Sequence, residues 1–304
     1  MTGPEPLFDR RLQRRWLARH ASTIAPGDFL RAHVAADLID RLSVVARRFE
    51  RGLVIGAGAS AARQGLRASG RVGEMLAAEP ARALVRAEMS TVIVADSEAL
   101  PFAPESFDLV VSILDLGLVN DLPGALVQMQ RILKPDGLML ATLVGGSSLA
   151  ELARAFAVAE SELAGGVSPR VAPMVDVRDL GALLQRAGFA LPVADADRLE
   201  LTYASPLAAM DELRRLGLGN SLIARSRKPL TRTVLGGVLD AYAAGAKRPD
   251  GRVALTLELL TATAWAPHPD QQKPLRPGSA KARLADALGV PETPAGETAP
   301  KPKP

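Results

Sequence analysis

The run from Leu53 to Ser60 limits the fold more than any other part of this chain. LVIG (53–56) is a short apolar strand, and it passes directly into Gly56-Ala57-Gly58-Ala59-Ser60 and a short helical pattern over about 60–68. Glycine at such a junction lets the backbone turn sharply and approach a ligand closely. Taken alone, a Gly-x-Gly turn serves a bound cofactor or a plain tight turn equally well. No Gly-Lys-Ser/Thr follows it, which argues against a phosphate cradle.

The pattern then repeats. Residues 72–77 predict a second strand and EPARALVR (79–86) the start of a helix with Glu79 and Pro80 in its first turn. TVIVAD (91–96) is a third strand, FDLVVSILD (107–115) a buried fourth and LMLATLV (138–144) a fifth. LPGALVQMQRIL (122–133) is a helix closed by the turn signal Lys134-Pro135-Asp136-Gly137. Strands alternating with helices argue for a parallel, doubly wound α/β sheet. In such sheets ligands lie beyond the carboxyl ends of the strands.

Two helices precede this unit. Phe8, Leu12 and Trp16 form a stripe at spacing four within 7–20; Asp28 is placed to cap a helix over 28–48 with Leu30, Val34, Leu38 and Leu42 inward. After the fifth strand, 147–163 and 177–189 are helical, 198–203 is a strand, 205–217 and 230–245 are helices, and 252–265 is a long final strand. The tail from about 290 is rich in Pro, Lys, Thr and Glu and predicts disorder.

Composition excludes several chemistries. The 304 residues include no cysteine, so disulfides, thiolate metal sites and cysteine nucleophiles are out, and three distant histidines make a histidine metal site a poor expectation. No run reaches the roughly 20 apolar residues of a membrane span. Residues 253–266 are too short and carry Glu258. The net charge of +4 is a weak basic bias, sharpest at Arg10, Arg11, Arg14, Arg15 and Arg19. Only Phe8 and Trp16 interleave with these arginines, so nucleic acid is not expected as a partner. No secretory signal core opens the chain.

Two acids strengthen the ligand reading of the glycine turn. Glu79 follows the second strand, where an acid can accept hydrogen bonds from ribose hydroxyls. The alternative is a charge favoured at a helix N-terminus. Asp96 and Ser97 end the third strand beside the same crevice, and a carboxylate there can take the donor amine of adenine or cap a turn. The candidate cofactor-binding set is therefore Gly56, Ala57, Gly58, Glu79, Asp96, Ser97 and, at the end of the fourth strand, Leu114. No catalytic base can be named; Tyr203, Tyr242 and His268 qualify by chemistry only.

DSEALPFAPESFDLVVS and LVNDLPGALVQMQRILKPDGLMLATLVGG resemble the signature of class I methyltransferases of the type-11 group. LFDR (7–10), VNDLPGAL (119–126), GGVSPRVAP (165–173), DLGALLQRAGF (179–189) and WAPHPDQQKPLRPGSA (265–280) resemble one family more closely. That family contains the methyltransferase-like assembly factor of mitochondrial respiratory complex I and its bacterial relatives. The malonyl-carrier-protein O-methyltransferases of the biotin pathway resemble the chain more distantly. The resemblance implies a Rossmann-like, seven-stranded, mostly parallel sheet with a helical insertion before the last strand. It also implies S-adenosylmethionine as cofactor and a protein or small carboxylate acceptor, with a respiratory complex I subunit as one such partner. The complex I branch implies arginine hydroxylation as another chemistry.

On this reading 1–48 is an N-terminal helical extension, 49–288 the methyltransferase-like domain with its insertion at about 204–250, and 289–304 the tail. The cytoplasm of a bacterium is the expected location, with the mitochondrial matrix as the alternative. The chain departs from the family pattern at four places. Val54 stands where an acid is expected, Ser60 where a third glycine is expected, Leu116-Gly117-Leu118 in place of Leu-His-Trp, and Gly145-Gly146-Ser147-Ser148-Leu149 in place of Gly-Gly-Asp-Thr-Leu. Two expectations follow: an enzyme with altered cofactor contacts, or a degenerate paralogue serving assembly without catalysis. A dinucleotide oxidoreductase fits less well, because the turn lacks the third glycine.

Overall fold

In a computed structural model of the chain, residues 5–24, 28–85, 91–271, 286 and 289–291 are described. The chain divides after His268, and the unit Met1–His268 holds the fold considered below. Most of the expected tail and of the 265–280 motif lies outside the described residues.

Seven strands form one sheet: β1 (Phe49–Ile55), β2 (Val72–Glu79), β3 (Val92–Val94), β4 (Phe107–Ile113), β5 (Leu133–Gly145), β6 (Ala190–Tyr203) and β7 (Val253–Trp265). Their order is β3-β2-β1-β4-β5-β7-β6. The first five pair in parallel, and β7 runs antiparallel to both β5 and β6. The expected seven-stranded, mostly parallel sheet is present. The chain crosses from β1 outward to β3 and then back to β4, so the switch point lies between β1 and β4, at the glycine turn.

The helices are α1 (Arg10–Arg19), α2 (Ala21–Ile24), α3 (Phe29–Ser43), α4 (Ala59–Ala68), α5 (Leu122–Ile132), α6 (Ala150–Leu163), α7 (Val177–Arg186), α8 (Pro206–Arg215) and α9 (Arg232–Ala246). Asp28 caps α3 as its position suggested, accepting a bond from the Arg31 amide, and Leu30, Val34, Leu38 and Leu42 are all buried. These four join Val54, Val111, Leu138 and Leu257 in the core on one sheet face. The other face buries Leu53, Ile55, Val110, Met139 and Leu260 against Leu126 and Met129 of α5 and Leu180 and Leu184 of α7. Alternation along each strand thus feeds two cores. α8 and α9 lie between β6 and β7 in sequence, where the helical insertion was expected.

Several elements differ from expectation for identifiable reasons. Glu79 ends β2 instead of starting a helix, and only a single 3-10 turn follows, Arg82–Leu84; 86 lies outside the described residues. Lys134–Gly137 does not end the helix-to-strand turn but sits inside β5 as an irregularity, with the register against β4 shifting between Phe107 and Leu109 and Asp136 at φ 60°. β6 begins eight residues earlier than 198 because it is an edge strand, exposed along much of its length, so no apolar run announces it. In α1 the buried residue is Gln13, and Phe8 lies outside the helix, bridging to Leu222.

Candidate functional site

β1 delivers its chain to the switch point with Val54 and Ile55 fully buried, and the turn follows at Gly56 with φ 123°. A Cβ at Gly56 would lie 2.3 Å from the carbonyl oxygen of Ile113 and 3.5 Å from Cβ of Asp115. Only glycine permits β1 and the end of β4 to approach this closely. Gly58, at φ 85°, is the N-cap of α4 and brings no side-chain bond to it.

Glu79 supplies that cap from the neighbouring strand. Its Oε2 accepts from the Gly58 amide at 3.0 Å; its Oε1 accepts from the Ser60 amide at 2.9 Å and the Ser60 hydroxyl at 2.7 Å. Burial pushes the Glu79 carboxyl above its ordinary value, and the bonds from Ser60 and Gly58 oppose the rise. Ser60, at the third-glycine position, therefore has a local role: it ties the acid of β2 to the turn.

Asp96 lies past the end of β3, in a bridge with Ala99. Its Oδ1 accepts from Nη2 of Arg10 at 2.7 Å and its Oδ2 from Nη2 of Arg14 at 2.7 Å. Burial alone would raise its pKa, but Arg10 and Arg14 hold it below the usual aspartate value. Arg10 also donates to the Leu118 carbonyl at 3.1 Å and lies 3.3 Å from Glu98. Gln13 donates to the same carbonyl and to the Ser221 hydroxyl. The arginine run of the N-terminus is thus committed in part to the molecule's own crevice.

Asp115 was not among the residues singled out from sequence. It follows Leu114, whose φ of 53° is unusual for a leucine. It is buried, its Oδ2 has no hydrogen-bond partner, and burial raises its pKa. The signal available in the sequence was an aspartate directly after a buried strand, the position where open α/β sheets place ligand-facing groups.

Between these residues lies a cavity of about 30 Å³, lined on the sheet side by Ala57, Pro80, Leu114 and Asp115, on the helix side by Arg10, Gln13, Arg14, Leu17 and Arg31, and by Leu216–Leu218; Gly58 and Arg31 line a separate cavity of about 460 Å³ against α3. A drug-sized ligand needs roughly 300 Å³ or more. With α1 in this position the crevice is closed over. Of the expected set, Ala57 and Leu114 line the cavity, Gly56 touches Asp115, Gly58 and Glu79 bond each other, and Asp96 faces α1. Ser97 is buried, and its hydroxyl lies beside the Asp115 carboxyl, where it opposes the rise that burial causes.

A second cavity of about 40 Å³ shares Leu114, Leu118 and Leu218 with the first and reaches Gly117, Val144, Leu149 and Arg170. It adjoins a third of about 410 Å³, lined by Trp16, Leu152, Phe156, Met210 and Leu213 with Arg19, Arg170 and Arg214. Among the described residues no carboxylate lines that outer cavity. Arg170 is held from behind by Glu160 and lies over the Phe156 ring at 5.3 Å. The serines of Gly145–Leu149 are used structurally: Ser147 bonds Glu258, and Ser148 bonds the Gly145 carbonyl. Tyr242 donates to the Ala254 carbonyl in the core, and Tyr203, pushed up to about 12 by burial, packs against the core at the far end of β6. Among the described residues no group of three or more His, Asp or Glu could hold a metal, and no helix is long and apolar enough to cross a membrane.

Residues 53–141 match the methyltransferase domain family model. The chain is 36% identical over 297 residues to the mitochondrial arginine-hydroxylase NDUFAF5 of Danio rerio, covering 92% of this chain and 89% of that protein. It belongs to this family of methyltransferase-domain proteins. A malonyl-[acyl-carrier protein] O-methyltransferase from Halorhodospira halophila is 34% identical over 271 residues, covering 86% of this chain and 90% of that one. The crystal structure of the YcgJ protein from Bacillus subtilis superposes with a TM-score of 0.52 at 16% identity, over 78% of this chain and 99% of that chain, which shows the shared fold. The methyltransferase-domain match spans β1 to β5 and so contains the glycine turn, Glu79, Asp96 and Asp115.

Proposed function

We propose that the chain binds S-adenosylmethionine in the crevice between the glycine turn and α1 and methylates an acceptor entering through the outer cavity. The observation that carries this is the convergence at one switch point of the Gly56 turn, Leu114, Asp96 and the unpartnered Asp115 oxygen, within the family's domain. The group supplies an activated methyl on a sulfonium; the protein then has to orient the acceptor and exclude water. The linked cavities past Leu114 and Leu149 provide an apolar passage for that.

The outer cavity favours a carboxylate acceptor. Among the described residues Arg19, Arg170 and Arg214 line it and no carboxylate does; Arg170 is paired with Glu160 and Arg214 with Asp211, so the like charge that an entering arginine side chain meets rests mainly on Arg19. A carboxylate is already ionised at neutral pH and needs no general base. Both kinds of target occur by name among the relatives: an arginine, for hydroxylation, in one, and a malonyl carrier protein, for O-methylation, in the other. Incubation with methyl-labelled S-adenosylmethionine, a malonyl carrier protein and an arginine peptide tests the reading. Label is expected in the carrier. Label in the peptide alone contradicts the charge argument.

One observation favours a second reading, a non-enzymatic assembly role, in a respiratory complex I context. Glu79 and Asp96 are both occupied by protein groups, and α1 closes the crevice. On that reading folded protein shows no cofactor binding even after α1 is loosened.

A further inference from the structure

Four carboxylates surround the closed crevice, and three of them are fully engaged. Both oxygens of Glu79 take donors from the turn. Both oxygens of Asp96 take arginines. Glu98 accepts the Asn120 and Asp121 amides through Oε1 and faces Arg10 through Oε2. The remaining one, Asp115, has no cationic or amide partner of its own: its buried Oδ2 makes no well-formed hydrogen bond, the Ser97 hydroxyl is the donor beside the carboxyl, and its residue lines the cavity. A buried acceptor left unsatisfied is costly, and native structures hold few of them. The nearest compensating charge is Arg10 of α1, which also serves Asp96 and Glu98. Arg10 is thus shared among three acids, and only Asp96 has a second arginine, Arg14.

We infer that Asp115 is the carboxylate that takes a cationic centre of the bound cofactor, and that Arg10 holds this place in the closed form. The assignment rests on the proposed cofactor reading. It explains why an aspartate is tolerated at the buried end of β4 beside Gly56: the charge that satisfies it arrives with the ligand. S-adenosylmethionine offers two such centres, its sulfonium and its ammonium. S-adenosylhomocysteine keeps only the ammonium, and methylthioadenosine has neither.

The three ligands separate the cases. Calorimetry on wild-type protein and on Asp115→Asn, an isosteric change whose folding is checked by its thermal midpoint, reads all of them. Charge-assisted bonds of this kind correspond to roughly a tenfold to hundredfold change in Kd. A loss of that size for S-adenosylmethionine alone assigns Asp115 to the sulfonium. A loss shared by S-adenosylhomocysteine, with methylthioadenosine unchanged, assigns it to the ammonium. Equal change for all three ligands, or none, overturns the inference. Failure of the wild type itself to bind any of them instead removes the cofactor reading beneath it.

If the variant does not fold, the wild type still decides. The charged groups facing Asp115 are Arg10 from α1 and Asp96 and Glu98 from the loop after β3, and Arg14 and Arg31 share the cavity wall. Asp96 is held low by its arginines and Asp115 is raised, so acidification protonates Asp115 before Asp96. Affinity for the cationic ligand should then fall with pH relative to methylthioadenosine. A constant ratio overturns the inference.

Discussion

The Arg10 guanidinium lies 2.7 Å from the Asp96 carboxylate, joining the first helix to the end of the third strand across the crevice. Arg14 reaches the other oxygen of the same carboxylate at 2.7 Å. The two pairs are not equal, because Arg10 is 15% exposed and Arg14 48%. Arg10→Ala is expected to loosen α1 by about 1.5–3 kcal/mol, since it removes charge-assisted bonds to half-buried Asp96 and the cation facing buried Asp115. Arg14→Ala should cost only about 0.2–1 kcal/mol. Amide hydrogen exchange over α1 measures both, and equal effects would contradict the burial argument.

Ser60→Ala removes the 2.7 Å hydroxyl bond to buried Glu79 and leaves the two backbone amides as its donors. A loss of about 1–3 kcal/mol is expected in denaturant unfolding. Ser60→Gly, which restores the family's third glycine, should lose a similar amount. Unchanged stability in both would mean that the serine does not anchor the turn.

The fold and the ligand crevice differ in how far they were legible. Strand runs such as 107–115 announce themselves because burial on both sheet faces demands apolar residues, and the Leu30–Leu42 stripe because one helix face is buried. The edge strand β6 carries Pro192, Asp195 and Asp197 before Arg198, so that first stretch has no such signature. The glycine turn, Glu79 and Asp96 were found from local spacing. Their partners were not, because Ser60 to Glu79 spans 19 positions and Arg10 to Asp96 spans 86, and nothing local encodes that pairing. Asp115 was passed over as the last residue of an apolar run, although its position at the switch point was the available clue.

The two aspartates of the crevice should respond to pH with opposite sign. Asp96 has a depressed pKa in the fold, so its contribution is present above the ordinary value of 3.8 and is lost as pH falls through the lower folded value. Asp115 has a raised pKa, so folding is favoured while it is protonated, and that contribution is lost as pH rises through the folded value. Asp115→Asn should therefore raise Tm at neutral pH and have little effect in acid. A fall in Tm at neutral pH would show that the ionised form is well satisfied.

Tyr242→Phe tests the separation of core from site. Its hydroxyl bond to the Ala254 carbonyl, 2.9 Å, lies at the start of β7. Removing it should cost about 0.5–1.5 kcal/mol of stability. Ligand affinity and any methyl transfer should be unchanged, so a specific loss of activity in the folded variant would place Tyr242 in the chemistry.

Calorimetric titration of the folded protein with S-adenosylhomocysteine tests the central claim most directly, run on wild type and on Arg10→Ala/Arg14→Ala side by side. Saturable one-to-one binding is expected in both. It should be about tenfold tighter in the double variant, because α1 no longer competes for the crevice. No heat at high micromolar ligand from either folded protein would contradict the account.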